Sequence, residues 1–413
     1  MMHVPKKILL SAFIICWVTS LRAMVYDNRY FPLYPHIYSR TNEKCTYLTG
    51  DAFVFLGHNA TREEDTVIGI PEIFGVYDFT KLANAVVLLG NPNPLSPDFL
   101  NLTEIIYNMS GAIDAQGFAF SFEHRFTDHF WVGGNAFFMH LFSRINFRLS
   151  DETARRFSLT SDQILQLDEI RRQTQAFLGF DAPKFSKVGF SDIDLYARIG
   201  KIWEYVYKLR RVDCGGRVGM LINSGLTREI NNPASLPFGG DGFFGLYIAG
   251  DTEVEVKEDW KVGLNVRISK RFARTLKERI AIANEQPLFG AVVGDLRVSP
   301  GFTFMFSPYI RIEDIREGLG GQLVYTAVFH LRDSIKDART DPQPPATLET
   351  VRKFSDFNSE YFSVYAFYDF ARVRKPYWWA PIAQLRWDMP VSVLAAKNVS
   401  KTQRISLGLL FSF

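Results

Sequence analysis

The chain has 413 residues, of which 47% are hydrophobic and 15% aromatic, with 37 phenylalanines. That length suits two or three ordinary domains or one large barrel, and the phenylalanine load is high for a soluble protein. The formal net charge is only +3, which argues against a nucleic-acid binder, since such a protein needs a basic face.

Residues 1–23 read as a secretory signal peptide. Lys6 and Lys7 form a positive start, Ile8 to Val18 is a short apolar run, and Leu21-Arg22-Ala23 offers a small residue for cleavage. Removing this segment lowers Lys+Arg from 47 to 44, equal to the 44 Asp+Glu, so the mature chain is formally neutral. After residue 23 no run of about 18 apolar residues occurs, so no transmembrane helix is expected. A membrane protein lacking such helices is a closed barrel, because its backbone polar groups must be satisfied internally. Cys45 and Cys214 remain after cleavage. Export permits a disulfide but does not require one. No Cys/His spacing suggests a metal, and no cofactor motif occurs.

Arg29 to Glu43 is rich in Tyr, Pro and Asn and reads as an irregular leader, so residues 24–44 are expected to precede the barrel, which runs over 45–413; if the barrel is of the outer-membrane kind considered below, that leader is periplasmic. Cys45 to Gly57 is a first strand, with Leu48, Ala52, Val54 and Leu56 opposite Thr49 and Asp51. In the 58–112 segment, Tyr77 to Leu89 and Leu102 to Met109 could each be a short helix, separated by the breaker Asn91 to Pro97.

From Asp114 the alternation is regular, and successive side chains point to opposite faces of a strand. Strand two sets Phe118, Phe120 and Phe122 against Ser121, Glu123 and Arg125. Strand three runs to Leu149, with Met139, Leu141, Ile145 and Phe147 expected outward and His140, Arg144, Asn146 and Arg148 inward. A helical excursion follows at 151–178, with Ser161-Asp162-Gln163 as its cap. Strand four (about 186–203) turns Asp192, Asp194 and Arg198 inward. Strand five (about 211–225) does so with Asp213, Arg217 and Asn223. Strand six opposes Leu246, Ile248, Val254 and Val256 to Asp251, Glu253 and Glu255. Strand seven sets Trp260, Val262, Leu264, Val266 and Ile268 against Lys261, Asn265, Arg267 and Arg271. Strand eight sets Leu296, Val298, Phe302, Phe304, Phe306 and Ile310 against Asp295, Arg297, Ser299, Thr303 and Arg311, with Arg297 and Arg311 inward; Pro300 and Pro308 predict a kink or a shortened strand. Strand nine turns Gln322, Thr326, His330 and Arg332 inward. Strand ten carries Phe362, Val364, Tyr368 and Phe370, and strand eleven sets Ala383, Leu385, Trp387 and Met389 against Gln384, Arg386 and Asp388.

The last strand, Thr402 to Phe413, alternates most cleanly. Ile405, Leu407, Leu409, Phe411 and Phe413 form one face; Arg404, Ser406, Gly408, Leu410 and Ser412 form the other. The fold class expected is therefore all-β, an antiparallel up-and-down barrel of about twelve strands. Long connections fall at 58–112, 150–185, 226–241, 273–293, 333–358 and 391–401, and short ones near 127, 208, 258, 314 and 375. Sorting long and short connections to opposite ends is the pattern of transmembrane barrels. Trp131, Trp203, Trp260, Tyr377, Trp378 and Trp379 cluster by the short turns, where an interfacial aromatic girdle belongs.

The register ending in Phe413 resembles the C-terminal strand of Gram-negative outer-membrane β-barrels. That resemblance covers the whole mature chain and implies outer-membrane lipid and the barrel-assembly machinery as partners, with Ile405, Leu407, Leu409, Phe411 and Phe413 as the assembly signal. A twelve-stranded phospholipase family among such barrels carries a His two residues before a Ser followed by Asn-Gly-Arg, and that signature is absent here. His140 and Ser143 are three apart and face opposite sides. His330 reads as a satisfied lumen histidine rather than a base. No enzyme is expected. A lumen with charge of both signs points to a channel or transporter for small solutes. The alternatives are a non-transporting surface barrel whose long loops bind a partner, and a plugged transporter of hydrophobic substrates.

Overall fold

A computed structural model describes residues 28–63, 66–206, 209–373 and 380–413; the expected signal peptide lies outside them. Twelve strands close into an antiparallel barrel: β1 (Thr46–Thr61), β2 (Ile106–Thr127), β3 (Phe130–Leu149), β4 (Ile193–Val206), β5 (Leu209–Ile222), β6 (Gly245–Lys257), β7 (Trp260–Arg271), β8 (Phe302–Arg316), β9 (Leu319–His330), β10 (Phe357–Asp369), β11 (Ile382–Pro390) and β12 (Val399–Ser412). Neighbours in sequence pair with one another, and β1 pairs with both β2 and β12, so the barrel wall has no free edge. Closure satisfies the backbone without water, which a barrel in lipid requires.

The period-two pattern sets the two faces. On β12, Ile405, Leu407 and Leu409 are exposed outward while Arg404, Ser406 and Leu410 are buried inside. Phe118, Phe120, Val218, Ile248, Val262, Phe304, Phe306 and Leu385 continue the exposed apolar exterior. One end of the barrel carries tight turns. Glu258-Asp259 joins β6 to β7 with Asp259 at φ 63°, and Glu317-Gly318 joins β8 to β9 with both residues at positive φ, as two-residue hairpins of right-handed twist demand.

The other end carries the long connections, which are more structured than expected. Helix α1 (Phe79–Leu88) starts at Asp78, whose side chain accepts from the Thr80 amide. The expected second helix at 102–109 does not form; β2 already begins at Ile106, pairing Tyr107 with Leu149. Helix α2 (Ser161–Phe177) is capped one residue earlier than expected, by Thr160, in a reciprocal capping box with Gln163. The fourth strand is broken. Lys184–Phe190 pairs with β3, and the chain turns at Ser191-Asp192 before β4. There the buried Asp192 carboxylate accepts the amides of Gly225 and Gly240.

Strand eight also differs. It begins at Phe302, and Pro300 marks the break. Residues Val292–Ser299 form a separate three-stranded sheet with Arg274–Ile280 and Ser334–Asp337, held by Ile280, Leu296, Ile335 and Leu348. Pro308 sits where the β8–β9 ladder skips from Phe306↔Ala327 to Tyr309↔Val324, which avoids the amide that proline lacks.

The leader is the largest departure. Residues 28–44 do not lie outside the barrel; they run down through it. Asn28 donates to the Pro237 carbonyl and Arg29 to those of Phe354 and Ser355, at the long-loop end. Further down, Tyr34 meets Tyr361 edge-on at 5.6 Å. Near the short-turn end, Arg125 bonds the Asn42 carbonyl and Lys44 that of Ser412.

Candidate functional site

The lumen is a charge network arranged around the threaded segment. Arg40, on that segment, donates Nε and Nη2 to the Glu123 carboxylate, the second at 2.8 Å, and lies 3.2 Å from both Asp213 and Asp251. Arg198 reaches the same two aspartates at 2.6 and 2.7 Å, and Arg217 lies 2.9 Å from Asp251. One aspartate therefore faces three guanidiniums contributed by the plug, β4 and β5. Buried charges survive only when paired and hydrogen-bonded, and the geometry meets that condition. Glu123 also accepts from the Tyr196 hydroxyl at 2.9 Å, and Glu253 from Tyr309 at 2.9 Å and Ser39 at 2.7 Å.

A second tier lies nearer the long loops. Asp194 accepts from Tyr247 at 2.7 Å and from Arg267, and Asp192 pairs with Arg271 at 2.8 Å. Across the barrel, Asp388 joins Arg386 and Arg404, and Arg386 also bonds the Tyr34 carbonyl. Close to the turns, Glu313 bridges Lys261 and Arg311.

Glycines make room for these side chains. A Cβ at Gly133, Gly219 or Gly263 would sit 2.4, 2.2 or 2.1 Å from the ring of Tyr196, Tyr247 or Tyr309 on the adjacent strand. Each phenol lies flat across its glycine and presents its hydroxyl to a lumen carboxylate.

Of the residues read from sequence as lumen-lining, Glu123, Asp192, Asp194, Arg198, Arg217, Asp251, Glu253, Glu255, Lys261, Arg267, Arg271, Arg311 and Arg386 are on the inward face. Arg125 is at the turn-end rim. Four are elsewhere. Arg144 and Arg148 are exposed on the outside of β3, because its odd positions Met139, Leu141 and Ile145 turn inward onto the apolar cluster of Tyr77, Phe137 and Phe289. Arg297 is exposed on the small sheet, and Arg332 follows the end of β9. Trp131 is likewise no girdle residue. Its odd position on β3 buries it completely, and Arg198 stacks over its ring at 4.7 Å. Trp203 and Trp260 face out, and Tyr377, Trp378 and Trp379 lie outside the described residues. Sequence reading missed Arg40, Arg211, Glu313 and the inward tyrosines. Arg404 stood on the polar face of the last strand and was legible there. Cys45 and Cys214 are unpaired and exposed.

Above the network, a cavity of about 230 Å³ opens among the long loops. Its wall holds the top of the plug (Asn28, Arg29, Tyr30), Phe74, Phe243 and Phe357, and the small sheet's Leu276, Leu296 and Val298. Arg228 and Glu278 form an ion pair beside it. Burial holds the Glu278 carboxyl above the usual range even so, and burial brings the Arg279 guanidinium down to about 10.

No family model matches the sequence, and no curated protein matches it. Among solved structures the chain is similar to an outer membrane channel from Pseudomonas putida F1, at 10% identity over 91% of this chain and 100% of that one, with a TM-score of 0.48. It is also similar to a Pseudomonas aeruginosa FadL homologue (10%, 90% and 91%, 0.35) and to a mutant of the TodX monoaromatic hydrocarbon channel (10%, 95% and 97%, 0.36). The fold is a closed twelve-stranded antiparallel β-barrel.

Proposed function

We propose that this protein is an outer-membrane channel for small solutes, closed at rest by its own N-terminal segment. The observation that carries the reading is how residues 28–44 are held. Among the described residues they join no strand ladder; side chains and a few single main-chain bonds fix them, such as the Ser400 amide to the Arg29 carbonyl. A segment held this way can leave the lumen without breaking a ladder of the wall, whereas loss of a wall strand would open the barrel. Without it, the lumen would be a polar bore lined by the network above. On this reading the barrel resides in the outer membrane, delivered by the assembly machinery through Ile405, Leu407, Leu409, Phe411 and Phe413.

The test is planar-bilayer conductance of the refolded chain beside a variant lacking residues 28–41 and an Arg40→Ala variant. The full chain is expected to be mostly silent with rare openings. The deletion is expected to give sustained ohmic steps, and Arg40→Ala more frequent openings. A silent deletion variant that is inserted and still heat-modifiable on a gel would overturn the channel. It would favour the second reading, a non-transporting barrel that displays its loops, which the density of lumen ion pairs supports.

A further inference from the structure

The cavity at the long-loop end has a wall rich in charged groups. Four guanidiniums border it, those of Arg29, Arg228, Arg271 and Arg279, with the carboxylates of Asp241, Glu278 and Asp333. Every one of these acids is already engaged. Glu278 pairs with Arg228, Asp241 accepts the Arg228 amide, and Asp333 accepts from His330 at 2.9 Å and from the Gly301 amide at 2.8 Å. Arg271 has Asp192, outside the cavity.

Among the described residues Arg29 has no carboxylate in ion-pair range. It donates to two main-chain carbonyls, of Phe354 at 2.7 Å and Ser355 at 2.5 Å, and lies between the rings of Phe74 and Phe357, 5.3 and 5.1 Å from their centroids. Asp356, the other acid near it, is bound to Lys397 at 3.0 Å. A guanidinium has five N–H donors in a fixed fork that matches a carboxylate, and two carbonyl bonds leave donors over. Carbonyls and ring faces orient the fork without neutralising it. Leu276, Leu296 and Val298 of the small sheet give the wall an apolar side.

We propose that this cavity binds a small monocarboxylate with an apolar body, its carboxylate on Arg29 and its body against the small sheet. The proposal deepens the channel reading and rests on it for one point, that the bound anion is the solute. It also gives the plug a direct part in recognition, since the cation is carried by the segment that fills the lumen.

The experiment is calorimetric titration of the full detergent-solubilised chain with benzoate and with hexanoate, each beside its neutral amide, benzamide or hexanamide. The anions are expected to bind at least about tenfold more tightly than the amides. The choice between benzoate and hexanoate reports whether the wall takes a ring or a chain. Arg29→Gln is expected to erase the preference for the anion, Arg29→Lys to keep part of it, and Arg316→Gln, at the opposite end, to leave it intact. Equal binding of anion and amide by the folded chain, no binding at all, or an undiminished preference in Arg29→Gln would each overturn the site. The channel reading fails separately: a silent plug deletion beside benzoate binding by the full chain removes transport and leaves the site, and a conducting deletion beside a full chain that does not prefer the anion removes the site and leaves the channel.

Discussion

Asp251 shows what a single lumen residue does. Three guanidiniums converge on it, so Asp251→Asn removes one charge and leaves Arg40, Arg198 and Arg217 with too few partners. Breaking a buried pair from one side is costly, and the variant is expected to lose about 3 kcal/mol, read as a lower temperature for loss of the heat-modifiable gel band. Pairing it with Arg217→Gln should recover part of that loss. At Gly219 the argument is steric. Gly219→Val drives a side chain into the Tyr247 ring, and overpacking of this kind costs about 2 kcal/mol. Tyr247→Ala removes the obstacle, so the double variant should be less unstable than the sum of the two singles. Strictly additive losses would mean that the ring does not lie across the glycine.

At the scale of elements, β12 closes the barrel. The β1 register with it runs from Tyr47↔Ser412 to Thr61↔Val399, and the Phe413 carbonyl accepts the amides of Cys45 and Thr46. Leu407 stands on its outer face, 64% exposed. Leu407→Arg puts a charge on that face at a cost of about 2–4 kcal/mol near the bilayer midplane; a reduced yield of folded protein in lipid vesicles, with folding in detergent little changed, is the expected result. The small sheet behaves differently because it lies off the barrel. Burial raises the Glu278 carboxyl in the folded state, so the folded protein holds that proton more tightly than the unfolded chain does. The sign follows from linkage: stability from this group is fully present below the ordinary carboxylate pKa and declines as pH rises through the raised value. Glu278→Gln should therefore flatten that part of the stability–pH profile between mildly acidic and neutral pH, followed by denaturant midpoints across the range.

For the whole molecule, the question is whether the plug and the wall separate. Arg267 lies 3.4 Å from the Tyr247 ring centroid and pairs with Asp194. In the plug-deleted chain, Arg267→Ala is expected to shift ion selectivity toward cations, measured as reversal potential under a salt gradient. An unchanged potential would mean that ions do not pass this tier. Strand order, closure and the sorting of long and short connections were legible in the sequence because each strand carries its own alternation and each turn its own breakers. The outward face of β12 is an example. The acids of β6 instead pair away from β7, Glu253 with Arg211 and Asp251 with Arg40, Arg198 and Arg217. The assignment failed on the part of β3 nearest the long connections, where the inside is apolar and the outside polar, so the rule that apolar points outward inverts. It failed for Arg297 because Pro300 separates that strand from the wall and the small sheet has its own core.

The sequence by itself determined that the chain makes a closed barrel with an apolar exterior, because period-two alternation is a local property that each strand carries for itself. Only the tertiary structure decided what fills the barrel. Residues 28–44 carry no period, since they form no ladder and face no single solvent. Their places are set by Glu123, Asp213, Asp251 and Arg386, drawn from strands up to 352 residues away. Charges that read along the chain as the lining of a lumen become, once the wall closes, mutual partners around a plug. Coulomb attraction acts through space, and no spacing along the chain records it.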